Sequence, residues 1–121
     1  MEGKNNLIDW WFKNGDNGKD YFSLKYVTAD NTSEALFYPD WIVRFKSGMI
    51  GIFDTKAIGV NEDDNRVKNE ALQAYIKEEN AKGKHLFGGL VVKDGVHFRL
   101  NQKETYTPFK DKPEEWEYFY M

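Results

Sequence analysis

Short apolar runs rich in β-branched and aromatic residues alternate along this chain with polar stretches of Asn, Asp and Gly. Leu7 to Asn14 (LIDWWFKN) predicts a strand, and Gly15-Asp16-Asn17-Gly18 the turn that ends it. Asp20 to Val27 (DYFSLKYV) predicts a second strand, completing a hairpin with the first, and Ala29 to Ala35 a polar connection. Trp41, Ile42, Val43 and Phe45, then Ile50, Ile52 and Phe53, suit two strands buried on both faces. Between them Lys46-Ser47-Gly48 suits a three-residue loop with Gly48 in the left-handed position.

One segment has a different period. From Glu62 to Lys82 the apolar residues Val67, Ala71, Ala74 and Tyr75 recur at helical spacing, with Leu72 and Ile76 widening the face. Asn61 is placed to cap this helix, Glu62, Asp63 and Asp64 favour its positive N-terminus, and Lys82-Gly83 ends it. Lys68 falls inside the apolar arc and Gln73 on the opposite side, which predicts a solvated glutamine. Leu86 to Val92 predicts a buried strand whose Gly88-Gly89 marks a bulge or a close approach. Lys93-Asp94-Gly95 then turns into a partner strand, Val96 to Asn101. In the tail, Pro113 suits a helix entry, and Trp116, Phe119 and Tyr120 fall on one face that packs back on the sheet, onto a parent protein or onto another copy.

Loop length decides the chemistry of the central hairpin, because side chains alternate faces with a period of two. A Lys46-Ser47-Gly48 loop pairs Phe45 with Met49 and, stepping outward, sets Asp40 opposite Asp54. Lys56 then shares the face of Asp54. Carboxylates directly opposite have β-carbons only ~5 Å apart and repel, so a cation or a proton has to offset them. Lys56 is one such cation. A hard divalent ion is another, since magnesium binds through one or two carboxylates plus water and substrate phosphate.

Pro39-Asp40 with Asp54-Thr55-Lys56 closing the next strand resembles the PD-(D/E)xK nuclease motif. The wider text, Trp10-Trp11-Phe12-Lys13-Asn14-Gly15-Asp16 followed by FYPDWIVRF and GIFDTKA, is similar to the C-terminal endonuclease domain of type III restriction-enzyme Res subunits and related DEAD/DEAH helicase-like proteins. The resemblance runs from about Leu7 to about Val92. It implies an α/β restriction-endonuclease-like fold: a mixed, mainly antiparallel central sheet with one long helix packed on it. It also implies metal-dependent hydrolysis of DNA phosphodiesters with magnesium (Mg2+), or manganese (Mn2+), as cofactor. Asp40 and Asp54 would hold the metal with the Thr55 backbone carbonyl, and Lys56 would be the catalytic lysine. Some relatives use a helix Gln or Lys near the metal. Lys68 is therefore set either to reach the carboxylates or a DNA phosphate, or to snorkel at the core edge. By resemblance the partners are DNA, the helicase/ATPase portion of a parent chain and a methyltransferase subunit. The family usually opens with a helix, whereas these residues begin almost directly in a strand, so either that helix lies upstream in a longer parent protein or the fold does without it. The rival reading keeps the fold but gives a catalytically inactive domain that positions DNA or docks a protein.

Composition narrows the rest. A chain of 121 residues supports one core, read as one nuclease-like domain belonging to a larger restriction or helicase protein. Aromatics at 17% exclude a low-complexity polymer. Without cysteine there are no disulfides or thiolate zinc sites. His85 and His97 lie in separate elements, too far apart in sequence for a close-spaced histidine metal site. No apolar run approaches the ~20 residues of a membrane span, so no membrane partner and a cytoplasmic location are expected. The net charge of −3 predicts weak DNA binding by this domain alone, as suits a cutting module delivered by a larger machine. It suits a role away from nucleic acid equally well.

Overall fold

The central hairpin forms in the expected register. In the computed structural model, which describes residues 8–14 and 22–120, β4 (Trp41–Phe45) and β5 (Ile50–Lys56) pair Trp41 with Phe53, Ile42 with Ile52 and Arg44 with Ile50. Phe45 donates its N–H to the Met49 carbonyl (2.8 Å), closing the Lys46-Ser47-Gly48 loop. Gly48 takes φ 97°, a left-handed conformation that costs a side-chain-free residue little.

Around this hairpin lies a six-stranded sheet. β1 (Ile8–Lys13) pairs antiparallel with β4, and α1 (Glu62–Ala81) carries the chain from β5 to the parallel strand β6 (Leu86–Asp94). β7 (His97–Asn101) and β8 (Glu117–Phe119) continue antiparallel, giving the order β1-β4-β5-β6-β7-β8. The remaining strands, β2 (Leu24–Val27) and β3 (Glu34–Phe37), form a separate two-stranded sheet. The architecture is α/β, with a mixed, mainly antiparallel sheet and one long helix packed on it.

Strand alternation gives this sheet two different faces. Ile42, Ile52, Leu90 and Val92 pack with Leu72 and Ile76 of α1, together with Leu24 and Phe37 of the small sheet. Val43, Phe53, Val91 and Leu100 point the other way, where partly buried aromatics, and no helix among the described residues, surround them.

Several expectations are corrected. The strand after Asp20 does not pair with β1: Leu24–Val27 pairs with Glu34–Phe37, because Glu34 and Ala35 are extended and β1 takes the β4 edge instead. The polar connection is thus shorter than Ala29–Ala35, and the Gly15–Gly18 turn lies outside the described residues. Asn61 sits in the left-handed region (φ 55°) and makes no side-chain cap bond. Glu62 instead accepts from the Gly59 amide (3.0 Å) and from the Tyr106 hydroxyl. β6 runs on through Asp94, moving the turn to Gly95-Val96.

Gln73 is buried, not solvated, and α1 presents Asn65, Asn69, Leu72, Gln73 and Ile76 inward while Ala74 is exposed. The physical cause lies in β6, where a Cβ on Gly88 would sit 2.0 Å from the Ile52 carbonyl oxygen. Backbone at such close range leaves polar groups to satisfy, and Gln73 donates to the Gly88 carbonyl (2.8 Å) while Asn69 accepts from the Leu90 amide (3.1 Å). In the tail, Pro113 begins a single 3-10 turn rather than a longer helix. Trp116 is buried on the helix side and Phe119 packs on the opposite face, with Tyr120 exposed, so the three do not share a face. Arg99 pins this segment by donating to the Trp116 (2.9 Å) and Pro113 (2.8 Å) carbonyls.

Candidate active site

One step beyond the last β4–β5 pair, the register sets Asp40 across from Asp54. Asp54 shares the helix-facing side with Ile52 and is 3% exposed. Its Oδ1 accepts the Asp40 main-chain N–H (3.0 Å), and its Oδ2 lies 3.0 Å from Lys56 Nζ. That Oδ2 is buried, and the Lys56 ammonium is the partner it meets. Burial pushes the Asp54 pKa up to about 6. Lys56 pulls it down and the Asp40 charge adds to the rise.

The Asp40 carboxylate takes a different direction. Its Oδ2 accepts from the Thr55 amide (3.1 Å) and hydroxyl (2.8 Å), and its Oδ1 lies 3.4 Å from Lys13 Nζ. Partial burial works to raise the Asp40 pKa, but the Thr55 hydrogen bonds and the Lys13 charge outweigh it and leave a net depression. Thr55 itself lines a cavity of about 300 Å3 on the helix-free face with Trp41, Val43 and Phe53. Asp40, Asp54 and Lys56 therefore meet at one end of the hairpin, but the two acids are not face to face. Asp54 meets the main chain of Asp40, whose own carboxylate reaches around the strand end.

Lys68 stands apart from that trio. Its ammonium pairs with Asp64 (2.9 Å) and lies 5.6 Å from the Phe37 ring centroid and 5.8 Å from that of Tyr26. Trp11 is 47% exposed and packs on Trp41 with ring centroids 5.2 Å apart, as sheet-surface packing rather than core. His85 and His97 are both exposed.

The donor set suits a hard divalent ion in part. Among the described residues no group of three or more His, Asp or Glu side chains converges, so they hold no all-protein cage. Two carboxylates and a carbonyl are nevertheless the protein share of a magnesium site that keeps water and substrate oxygens. Asp54 Oδ2, now facing the Lys56 ammonium at 3.0 Å, is a carboxylate oxygen of the required kind.

Sequence reasoning missed Thr55 and Lys13 as partners of Asp40, and Tyr26 and Asp64 as partners of Lys68. It also missed the Asn69–Gln73–Asn101 amide network. The amides at 65, 69 and 73 recur at intervals of four, a polar stripe that itself marks a buried helix face. Comparison with protein-family models, with curated proteins and with solved structures finds no match to this chain.

Proposed function

We propose that this domain is a metal-dependent endodeoxyribonuclease module with a restriction-endonuclease-like fold. The observation that supports this reading best is a buried carboxylate, Asp54, set across the hairpin from Asp40 and in ion-pair contact at 3.0 Å with a lysine two residues on. Asp40, Asp54 and the Thr55 carbonyl are the groups that would hold magnesium or manganese. When bound, such an ion neutralises phosphate charge and acidifies a coordinated water.

The protein's own contribution follows from its geometry. The Asp40 amide fixes Asp54 in place, so the acid is oriented before any substrate arrives. Lys56 is partly exposed and within reach of Asp54, where its ammonium can orient the attacking water or stabilise charge developing on the phosphate. DNA is the substrate under this reading. A helicase/ATPase portion of a parent chain and a methyltransferase subunit are the partners that would deliver it, in the cytoplasm. No helix among the described residues is long and apolar enough to cross a membrane.

The test is to incubate the protein with supercoiled plasmid and magnesium alongside Lys56→Ala. Nicking by the parent protein and its loss in the variant by at least a hundredfold is the expected outcome. Equal nicking by both would trace the activity to a contaminant and end the assignment. The helix-free aromatic face favours the second reading, a DNA-positioning or protein-docking domain without catalysis, which predicts no nicking and no thermal response to magnesium.

A further inference from the structure

The cavity beside Thr55 opens on the helix-free face, and the acid chemistry described above makes no use of it. Its volume, about 300 Å3, stands at the low end of the ~300–1,000 Å3 typical of ligand sites. Val43 and Val91 give it a buried aliphatic floor. Rings flank that floor on both sides, Trp11 and Trp41 from the β1–β4 pair and Phe98 and Phe119 from the β7–β8 pair. Trp11 and Phe98 are 47% and 44% exposed, so two large rings of one cavity stand in solvent. An open apolar surface of this kind marks a place where something binds.

Two contacts tie the cavity to the acid site. Thr55 lines it, and the same side chain donates its hydroxyl to Asp40 Oδ2 (2.8 Å). Lys13 Nζ lies 3.4 Å from Asp40 Oδ1 and 5.3 Å from the Trp41 ring centroid, so one ammonium touches both the acid and a cavity wall. Asp54 and Lys56 meet on the helix-facing side, whereas the Asp40 carboxylate turns around the strand end toward the other. A nucleic-acid strand whose phosphate sits on these acids therefore has an adjoining base within reach of the rings.

The lining selects the occupant. Every base has a flat π-face that stacks on aromatic rings, and stacking needs no charge. A net charge of −3 leaves phosphate neutralisation little to contribute, so a DNA-cutting domain of this charge requires a hold of another kind. Beyond two indole N–H groups, Thr55 is the one side chain of the described lining with a polar atom, and its hydroxyl already donates to Asp40. Such a lining has too few hydrogen bonds to read a base edge. It also discriminates against paired bases, because a base must leave the duplex stack before rings can cover its face.

We propose that this cavity is a stacking slot for one unpaired nucleobase of the DNA strand being cut, next to the scissile phosphate and indifferent to base identity. This rests on the nuclease reading and names its substrate: single strands, flaps and melted ends in preference to intact duplex. Trp11 and Phe98, the exposed rings of the lining, are the ones a base meets first.

The experiment measures binding of the full chain to a fluorescent single-stranded oligonucleotide and to the duplex of the same sequence, in calcium to slow cutting and across a series of salt concentrations. The single strand is expected to bind at least tenfold more tightly. Trp11→Ala and Phe98→Ala are each expected to weaken its binding about five- to a hundredfold, the worth of one stacked base, with the salt slope unchanged because no phosphate contact is lost. Trp11→Tyr is expected to keep most of the affinity. Folded alanine variants that bind the single strand as the parent does, or a parent that prefers duplex, overturn the slot and leave the nuclease reading intact. Should neither alanine variant fold, the parent's preference between single strand and duplex decides. A parent that binds as expected but nicks no DNA in magnesium overturns the nuclease reading and leaves the slot standing. Self-association relieved by Trp11→Ala, without oligonucleotide binding, assigns the face to a second copy of this chain and overturns the slot.

Discussion

Replacing Asp54 by Asn makes the electrostatic account of the site measurable. A pKa of about 6 in place of the ordinary 3.8 corresponds to about 3 kcal/mol by which the ionised form is disfavoured, burial and the Asp40 charge outweighing the Lys56 charge and the hydrogen bonds. The folded pKa lies above the unfolded one. The stabilisation that protonated Asp54 contributes is therefore complete below 3.8 and is lost as the pH rises through about 6. Asn is neutral throughout and keeps an oxygen to accept the Asp40 N–H. Its amide, however, brings donors toward Lys56 where Oδ2 now stands 3.0 Å away, a mismatch of about 1 kcal/mol. Asp54→Asn should then be more stable than the parent by about 1–3 kcal/mol at pH 8, a rise in melting temperature of several degrees. The advantage should vanish or reverse near pH 4. Urea unfolding of both proteins from pH 4 to 8.5 measures this. A gap that does not change with pH, or a parent more stable at pH 8, refutes the claim that Asp54 is held charged against its burial. Magnesium supplies a second arm: at a hundred times its dissociation constant it should stabilise the parent by about 2.7 kcal/mol and leave Asp54→Asn unchanged.

Two further substitutions probe the scaffold behind the site. Gly88→Ala forces a Cβ to within 2.0 Å of the Ile52 carbonyl oxygen at φ 139°. Thermal unfolding should show a loss above 3 kcal/mol, and a near-neutral result would contradict the close strand contact. Gln73→Leu keeps the bulk but removes the donor to the Gly88 carbonyl, costing about 1–3 kcal/mol by denaturant titration. A stabilised Gln73→Leu would mean that the glutamine is solvated after all.

How far the sequence could be read depended on how local the physics was. The β4–β5 register was legible because a three-residue loop and strict alternation leave one way to align Phe45 with Met49, and that alignment places Asp40 across from Asp54. The extent of α1 was legible from its spacing and its terminal glycine, but its orientation was not. Helical periodicity ranks residues by hydrophobicity, whereas Asn69 and Gln73 are buried to satisfy strand carbonyls and amides that lie elsewhere in the chain. Pairing of the strand near Leu24 failed for a similar reason: nothing local to that strand shows that Glu34–Phe37 is free to receive it while β1 is taken by β4.

The sequence by itself determined that this is one α/β unit with a hairpin carrying two acids and a lysine at one end, because turn chemistry and strand period act between near neighbours. Only the tertiary structure decided where those groups point: Asp54 into a nearly sealed site against Lys56, Asp40 around the strand end to Thr55, and Lys68 onto Asp64. Burial and hydrogen-bond direction depend on elements distant in sequence, and they set the charge of a carboxylate more than its own flanking residues do.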